Sequence, residues 1–539
     1  MPEYLTPGVY VEEFEMGARP IEGVSTSTTG FLGLTERGPV SPPRLVTSPA
    51  QFNRIYGSYI IDSYMAYAVD GFFANGGQRC YIGRIVRDEA NEASLVEGNI
   101  NFKSVGPGKW GKRVGIRIQD ASSDPGNNKP DGQKVFKLTV AYWSEQDLPS
   151  EDDFKLPDND DLKNKKLMNI TEKAYIETYD ELSEDENSVD HYLKKFSESN
   201  PDKSLSNLIL IAEESTGRPS NTEDEGVFFK LLSEDGEDGT GDLTRANFRG
   251  DPTAQPGEKR GLTAFEEVDD ISIVYVPDLH FVKEDERSAL YGDILTHCET
   301  LKDRFAILDA PKGERNIGGL MITSFATPSK YGAIYYPWIK IADPLTKKQE
   351  LKPPGGYIAG IYARSDTERG VHKAPANEKV RGAIDLEFTL TKRDQGILNP
   401  RGINVIRNFP ERGILVWGAR TCIIDPLWKY INVRRLFIYV EESIEKGTQW
   451  AVFEPNDEKL WARVRATITQ FLTRVWKDGA LMGTKVEEAF FVKCDRSTMT
   501  QDDIDNGRLI CVIGIAPVKP AEFVIFRIAQ WAGGSSATE

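Results

Sequence analysis

The stretch Gly106-Pro-Gly-Lys-Trp-Gly-Lys-Arg113 fills the G-x-x-x-x-G-K frame of a phosphate-gripping loop, with Lys112 in the lysine position. Such a loop needs a Ser or Thr after the lysine to hold Mg²⁺, and it must open a helix whose first amides meet the phosphates. Arg113 stands at the Ser/Thr position, and Pro107 removes one of the backbone donors of the cradle. The following residues, RVGIRIQ, place Val114, Ile116 and Ile118 at alternate positions, the period of a half-buried strand. The local chemistry therefore predicts a Gly/Pro turn feeding a strand.

The other reactive side chains assemble into no catalytic or metal-binding pattern. The chain has 4 histidines, and His280 and His297 have no close ligand spacing between them. Its 5 cysteines (Cys80, Cys298, Cys422, Cys494 and Cys511) are odd in number and unpaired in spacing, which predicts reduced thiols and assembly in a cytosolic environment. Cys511 lies in the apolar run LICVIGI and is expected to be a buried, inert thiol. Asp309 closes a strand just before Pro311, a place where catalytic carboxylates occur, although a loop-capping aspartate is the commoner case. The acidic stretches between Ser144 and Gly261 contain no D-x-[DN]-x-[DN]-G loop ending in glutamate, so calcium is not expected. We expect no catalytic residue, no metal and no cofactor.

The elements that would position these residues show mixed α/β character. GFLGL, CYIGRIV, VFKLTVAYW, ISIVYVPDL and RFAILDAP read as strands, and SYMAYAVDGFFANGG and RSALYGDILTHCETL as helices. From Ser144 to Gly261 the chain turns acidic and rich in Gly and Pro, and reads as solvated loops on an outer domain. A net charge of −17 over 539 residues argues against nucleic acid as a partner. No apolar run approaches bilayer length, and MPEYLTPGVYVEEF lacks the features of a signal peptide, so direct membrane insertion is not expected.

Two helices punctuate the last third. The first is expected from Asp425 as N-cap, with Pro426 in the first turn, to Gly447, with Leu427, Tyr430, Ile431, Phe437, Ile438 and Ile444 making it a core helix. The second, from about Asn456 to Gly479, carries an apolar face (Trp461, Val464, Ile468, Phe471, Leu472, Val475). Opposite lies a basic-polar stripe of Lys459, Arg463, Thr467, Gln470, Arg474 and Lys477. A basic stripe on an acidic protein is a candidate docking face for an acidic partner. At the two ends, Gly8–Phe14 and EFVIFRIAQW read as strands, set off by Gly17, Pro20 and Gly23 and by Pro517 and Pro520. A strand on a terminal arm must pair with some sheet, and the C-terminal one, apolar on both faces, should be buried in one.

Blocks spread over nearly the whole chain carry a resemblance: YLTPGVYVEE, NGGQRCYIGRI, PGKWGKRVGIRI, VYVPD, SKYGAIYYPWIKIADP, PPGGYIAGIYARSDTERGVHKAPAN, INVIRNFPERGILVWGARTC, INVRRLFIYVEESIEKGTQWAVFEPN and PVKPAEFVIFRI. They resemble the contractile tail sheath family of phages and phage-tail-like injection systems, in which the turn reads PG-x-WGN; Lys112 replaces that Asn and creates the false phosphate loop. The acidic middle matches only faintly. The resemblance implies a structural subunit that polymerises as stacked hexameric rings around an inner tube and contracts to drive the tube through a target cell envelope. It also implies partners: further copies of the chain, an inner tube protein, baseplate and tail terminator or cap proteins, and in some particles sibling sheath proteins. The particle would be assembled in the producing cell's cytoplasm and be released or anchored.

The expected fold is α/β, or α+β multidomain. The resemblance implies that a C-terminal, tube-proximal α/β sheath domain (366–516) would be completed by strands from neighbouring subunits. A middle α/β domain (23–100 with 262–365) carries an inserted outer β-rich acidic domain (101–261), and arms span 1–22 and 517–539. Strand exchange would use Val9, Tyr10, Val11 and Phe14 at one end and Phe523, Val524, Ile525, Phe526 and Ile528 at the other, with Gly17, Pro20, Gly23, Pro517 and Pro520 as hinges. Inner-tube docking would use Lys459, Arg463, Gln470, Arg474 and Lys477. The rival readings are an NTP-dependent motor or other enzyme, and a surface-binding module that does not polymerise.

Overall fold

A computed structural model describes residues 20–130, 132–157, 159–199 and 204–527. The chain divides into two compact units, one of Val24–Glu368 with Pro375–Ile431, the other of the chain up to Gly23 with Arg369–Ala374 and Asn432 onward.

The first unit is organised by a nine-stranded sheet in the order Glu378–Lys379, Gly413–Val416, Ile403–Phe409, Gly332–Tyr336, Phe305–Asp309, Ile273–Tyr275, Thr29–Gly33, Cys80–Arg84, Arg44–Val46. The six strands from Ile403–Phe409 to Cys80–Arg84 are parallel, and the flanking pairings are antiparallel. Thr29–Gly33, Ile273–Tyr275, Phe305–Asp309 and Gly332–Tyr336 are buried at every position, which explains their uninterrupted apolar sequences. The helix Met65–Ala74 lies against Thr29–Gly33, and Glu284–Leu301 against Phe305–Asp309.

Two four-stranded antiparallel sheets follow. One runs Lys230–Leu231, Val114–Asp120, Val135–Tyr142, Tyr175–Ser183; the other runs Glu234–Glu237, Asn91–Glu97, Ile100–Ser104, Ile209–Ile211. A core including Trp110, Ile116, Ile118, Phe136 and Leu138 joins them. The acidic segment from Ser144 to Gly261 is thus more than solvated loops. It contributes the strand Tyr175–Ser183, the helix Asp160–Thr171 and buried Phe154, Ile170, Phe228 and Phe229. Glu177 explains how charge density hid a strand. Its buried carboxylate accepts from the hydroxyls of Tyr175 (2.9 Å), Tyr179 (3.1 Å) and Ser206 (2.6 Å), so the charge enters the fold already partnered.

In the second unit, Asp457 Oδ1 accepts from the Lys459 and Leu460 amides (3.0 and 2.9 Å) and starts the helix Glu458–Lys477. Trp461, Val464, Ile468, Phe471, Leu472 and Val475 are buried on the expected face. The preceding helix is shorter than its sequence suggested, Ile431–Gly447. Asp425 Oδ1 instead accepts from the Leu427 amide (2.8 Å) and closes a single turn, and Leu427 is exposed. The Asp-Pro signal was a turn signal because the chain must first bridge Tyr430 to Arg420. The expected 366–516 span is also divided: 375–431 contributes three strands to the nine-stranded sheet.

Candidate functional site

The phosphate-loop mimic is a 3-10 turn, Lys109–Arg113, running directly into the strand Val114–Asp120. Trp110 is buried and donates from its indole to the Pro107 carbonyl (3.0 Å). Lys112 pairs with Glu237 (2.9 Å) and Arg113 with Glu36 (3.6 Å). Lys109 also reaches Glu237 (3.7 Å), so all three cations of the motif are spent on intramolecular carboxylates.

Parallel sheets bind ligands where strand order reverses, beyond the carboxyl ends of the strands. Here the reversal lies between Thr29–Gly33 and Ile273–Tyr275, and Asp278 fills it. Its carboxylate accepts from the Leu34 amide (2.7 Å), the Tyr64 amide (2.6 Å) and the Ser63 hydroxyl (2.8 Å). A Cβ added to Gly33 would sit 2.5 Å from this carboxylate, so the crevice is packed to contact. Asp309 is buried and accepts from the Tyr275 hydroxyl (2.6 Å). His280 lies 4.0 Å away, and neither of its ring nitrogens has a hydrogen-bond partner among the described residues. Burial pushes Asp278 and Asp309 up to about 7 and holds His280 down at about 3, so the imidazole is neutral. These are enclosed side chains in packed structure. Among the described residues no group of His, Cys, Asp and Glu could hold a metal ion, and no helix is long and apolar enough to cross a membrane.

The surface with unsatisfied demands is in the second unit. Its sheet has only two strands, Phe490–Lys493 and Val512–Ile515, antiparallel, with no third strand among the described residues. Two-stranded sheets are marginal alone, and each exposed edge offers free amides and carbonyls. Phe491 and Val512 are half-exposed on it. In the same unit, Ala521–Arg527 belongs to no strand of its own chain. Phe523, Val524, Ile525 and Phe526 are 73, 70, 78 and 82% exposed. Among the described residues this apolar segment does not find its expected burial.

Several expected site residues can be placed. Pro517 is no free hinge: it bridges to Leu481, and the Val518 amide donates to the Ala480 carbonyl (3.1 Å), so the pairing along this end of the chain stops at Val518, two residues before Pro520. At the other end Pro20 is exposed, while Ile21 is buried in the core of the second unit. Gly23 packs directly against the Tyr439 ring, and a Cβ there would press on the Tyr439 hydroxyl. Val9, Tyr10, Val11, Phe14, Gly17 and Ile528 lie outside the described residues. Lys459, Arg463, Gln470, Arg474 and Lys477 are exposed and share one helix face, but Thr467 is buried. Arg474 donates to the Ile21 carbonyl, and Arg463 pairs with Glu454 (3.1 Å) and stacks over Trp450. The adjoining loop presents Phe453, fully exposed at φ 65°, a conformation unusual for a bulky residue. No sequence signal marked it.

A family model described as the phage tail sheath protein central domain matches residues 254–422, and one described as the phage tail sheath C-terminal domain matches residues 424–530. The chain belongs to the phage tail sheath protein family. The tail sheath protein of Burkholderia phage BcepMu is 28% identical over 195 residues, 33% of this chain and 41% of that protein. A putative prophage major tail sheath protein of Pseudomonas aeruginosa (strain UCBPP-PA14) is 25% identical over 236 residues, 42% of this chain and 58% of that one. The chain thus spans less than two thirds of the length of these curated relatives. The likeness to solved structures is longer. The helical sheath of the anti-feeding prophage in its contracted state is 25% identical, with 97% of this chain and 99% of that chain covered and a TM-score of 0.55. The sheath tail protein of Listeria innocua, 11% identical with 92 and 96% covered and a TM-score of 0.58, shares the fold.

Proposed function

We propose that this chain is the structural subunit of a contractile sheath, polymerising as stacked hexameric rings around an inner tube and contracting to drive the tube through a target envelope. The observation that carries the reading is the unpaired apolar segment Phe523–Phe526 in a unit whose own sheet stops at two strands. An arm from one copy, adding to the sheet edge of the next, would satisfy both. About five main-chain hydrogen bonds at roughly 1 kcal/mol net each give several kcal/mol per arm, before apolar burial is counted. Repetition around and along a cylinder multiplies each contact. The N-terminal arm, residues 1–22, would act likewise.

Further copies of the chain, an inner tube protein, baseplate proteins and a terminator or cap are the implied partners, with sibling sheath proteins in some particles. The exposed Lys459, Arg463, Gln470 and Lys477 face suits an acidic tube surface. Energy would be held in a metastable extended lattice and released as new subunit contacts form. Negative-stain microscopy of the expressed chain tests the reading: long hollow tubes are expected, and compact particles alone would overturn it. Deleting Met1–Gly17 should leave a folded subunit without tubes, and normal tubes would refute exchange through that arm.

Charge reversal tests the docking face. Because Arg474 already serves the Ile21 carbonyl, the cleaner pair is Arg463→Glu with Lys477→Glu. Sheath self-assembly should be kept, while co-sedimentation with tube drops at least tenfold at low salt. Unchanged co-assembly removes the assignment.

A further inference from the structure

The two-stranded sheet holds a second, independent feature at its end. Cys494 directly follows Phe490–Lys493, and Cys511 directly precedes Val512–Ile515. The register pairs Phe490 with Ile515 and Lys493 with Val512, so one further step sets Cys494 opposite Cys511. Counting outward from the Ala516 amide, which donates to the Ala489 carbonyl, the pairs alternate in kind. The 494–511 pair falls on the non-hydrogen-bonded kind, where Cα atoms are about 4.5 Å apart, within the span a disulfide can bridge. The two thiols are free and close enough for each to shift the other's titration, Cys511 lowering Cys494 and Cys494 raising Cys511. Cys494 is buried and Cys511 half-buried, more open than the buried thiol expected from its apolar neighbours. The other cysteines, Cys80, Cys298 and Cys422, are all buried in the other unit.

We propose that Cys494 and Cys511 form a redox modification site, at which a low-molecular-weight disulfide such as oxidised glutathione converts the facing thiols into a cross-strand disulfide. Cys511, the more accessible, attacks a sulfur of the reagent as its thiolate, forming a mixed disulfide and releasing one small thiol. The Cys494 thiolate then attacks the Cys511 sulfur, closing the protein disulfide and expelling the second small thiol. Two protons leave the cysteines, and two electrons reduce the reagent. The bond closes the loop 495–510 and pins the two strands at one end. Its formation is independent of the proposed sheath role. Its consequence for assembly, a receiving edge locked in one register, rests on that role.

Burial raises both thiols, Cys511 to about 12. Arg465, from the helix Glu458–Lys477, works against this for both, and Asp495 adds to it for Cys494. The sulfurs are therefore mostly protonated at neutral pH, and the rate should rise about tenfold per pH unit between roughly pH 7 and pH 9.

The test treats folded full-length protein with oxidised glutathione and maps peptides without reductant. The expected product links the Cys494 and Cys511 peptides at a mass lower by two hydrogens, with the cysteines titratable after unfolding in denaturant without reductant falling from 5 to 3. Cys494→Ser should instead stop at a stable glutathione adduct on Cys511, and limited proteolysis within 495–510 should slow several-fold only in the oxidised wild type. Adducts on wild-type Cys511 that never progress, links to Cys80, Cys298 or Cys422, or failure of the folded chain to react while the unfolded chain does would each overturn the proposal. Tube formation by oxidised and reduced protein is scored separately. Absence of tubes from both would count against the sheath reading and leave the disulfide standing.

Discussion

Truncation after Pro520 should leave a folded subunit that forms no tubes at concentrations where the full chain does. The lost residues include Phe523–Phe526, which are mostly exposed and add nothing to the core of the second unit, whose described members end at Ile515. Stability should therefore change by no more than about 0.5 kcal/mol, the usual range for surface changes. Assembly is a different matter. If each arm supplies about 5 kcal/mol from main-chain bonding before apolar burial is counted, its removal raises the concentration needed for polymerisation by at least roughly a thousandfold. Phe523→Asp with Ile525→Asp keeps the backbone donors and loses only burial, so a partial loss is expected from it. Sedimentation and negative-stain imaging across a concentration series read both variants. Tubes from the truncated chain at the wild-type threshold would exclude the C-terminal arm as a strand donor.

The second large effect is opposite in sign at two buried aspartates. Burial raises Asp309 to about 7, well above its unfolded value. A raised carboxyl pKa means that the folded state holds its proton more tightly. The stability this group contributes is full below about pH 4 and is lost as the pH climbs through about 7. Asp309→Asn removes that loss. Its oxygen can still accept from the Tyr275 hydroxyl, and Oδ1, where the amide nitrogen would sit, makes no close hydrogen bond among the described residues, although the nearby Gly355 amide favours the carboxylate and takes back part of the gain. We expect a gain on the order of 2 kcal/mol at pH ~8 and little change at pH ~4.

Asp278→Asn should do the reverse. Both Asp278 oxygens accept from backbone amides, Leu34 on one and Tyr64 on the other, so an amide nitrogen must face a donor. A loss of about 2–3 kcal/mol is expected there. His280 and His297, both held near 3 by burial, lower stability as the pH falls below about 6.5, opposite in direction to the aspartates. The informative quantity is therefore the difference between each variant and wild type in denaturant titrations at two pH values. A destabilised Asp309→Asn protein at high pH would show that the carboxylate is needed in its ionised form.

The sequence by itself determined what local pattern can encode. The Gly/Pro turn at 106–113, the strand after it and the Asp457-capped helix with its apolar face were legible because alternation, helical spacing and capping act within a few residues. So was the family, from blocks spread along the chain. The tertiary structure alone decided what depends on distant partners. Glu177 could enter a core because Tyr175, Tyr179 and Ser206 converge on it, and Asp278 could plug the sheet crevice because Leu34 and Tyr64 present their amides there. Residues 375–431 joined the large sheet, Ile21 and Val518 fixed where each chain end is pinned, and strand register brought Cys494 opposite Cys511. Periodicity says which face of an element is apolar. Only long-range register says which residue that face meets, because a partner hundreds of positions away leaves no mark on the local pattern.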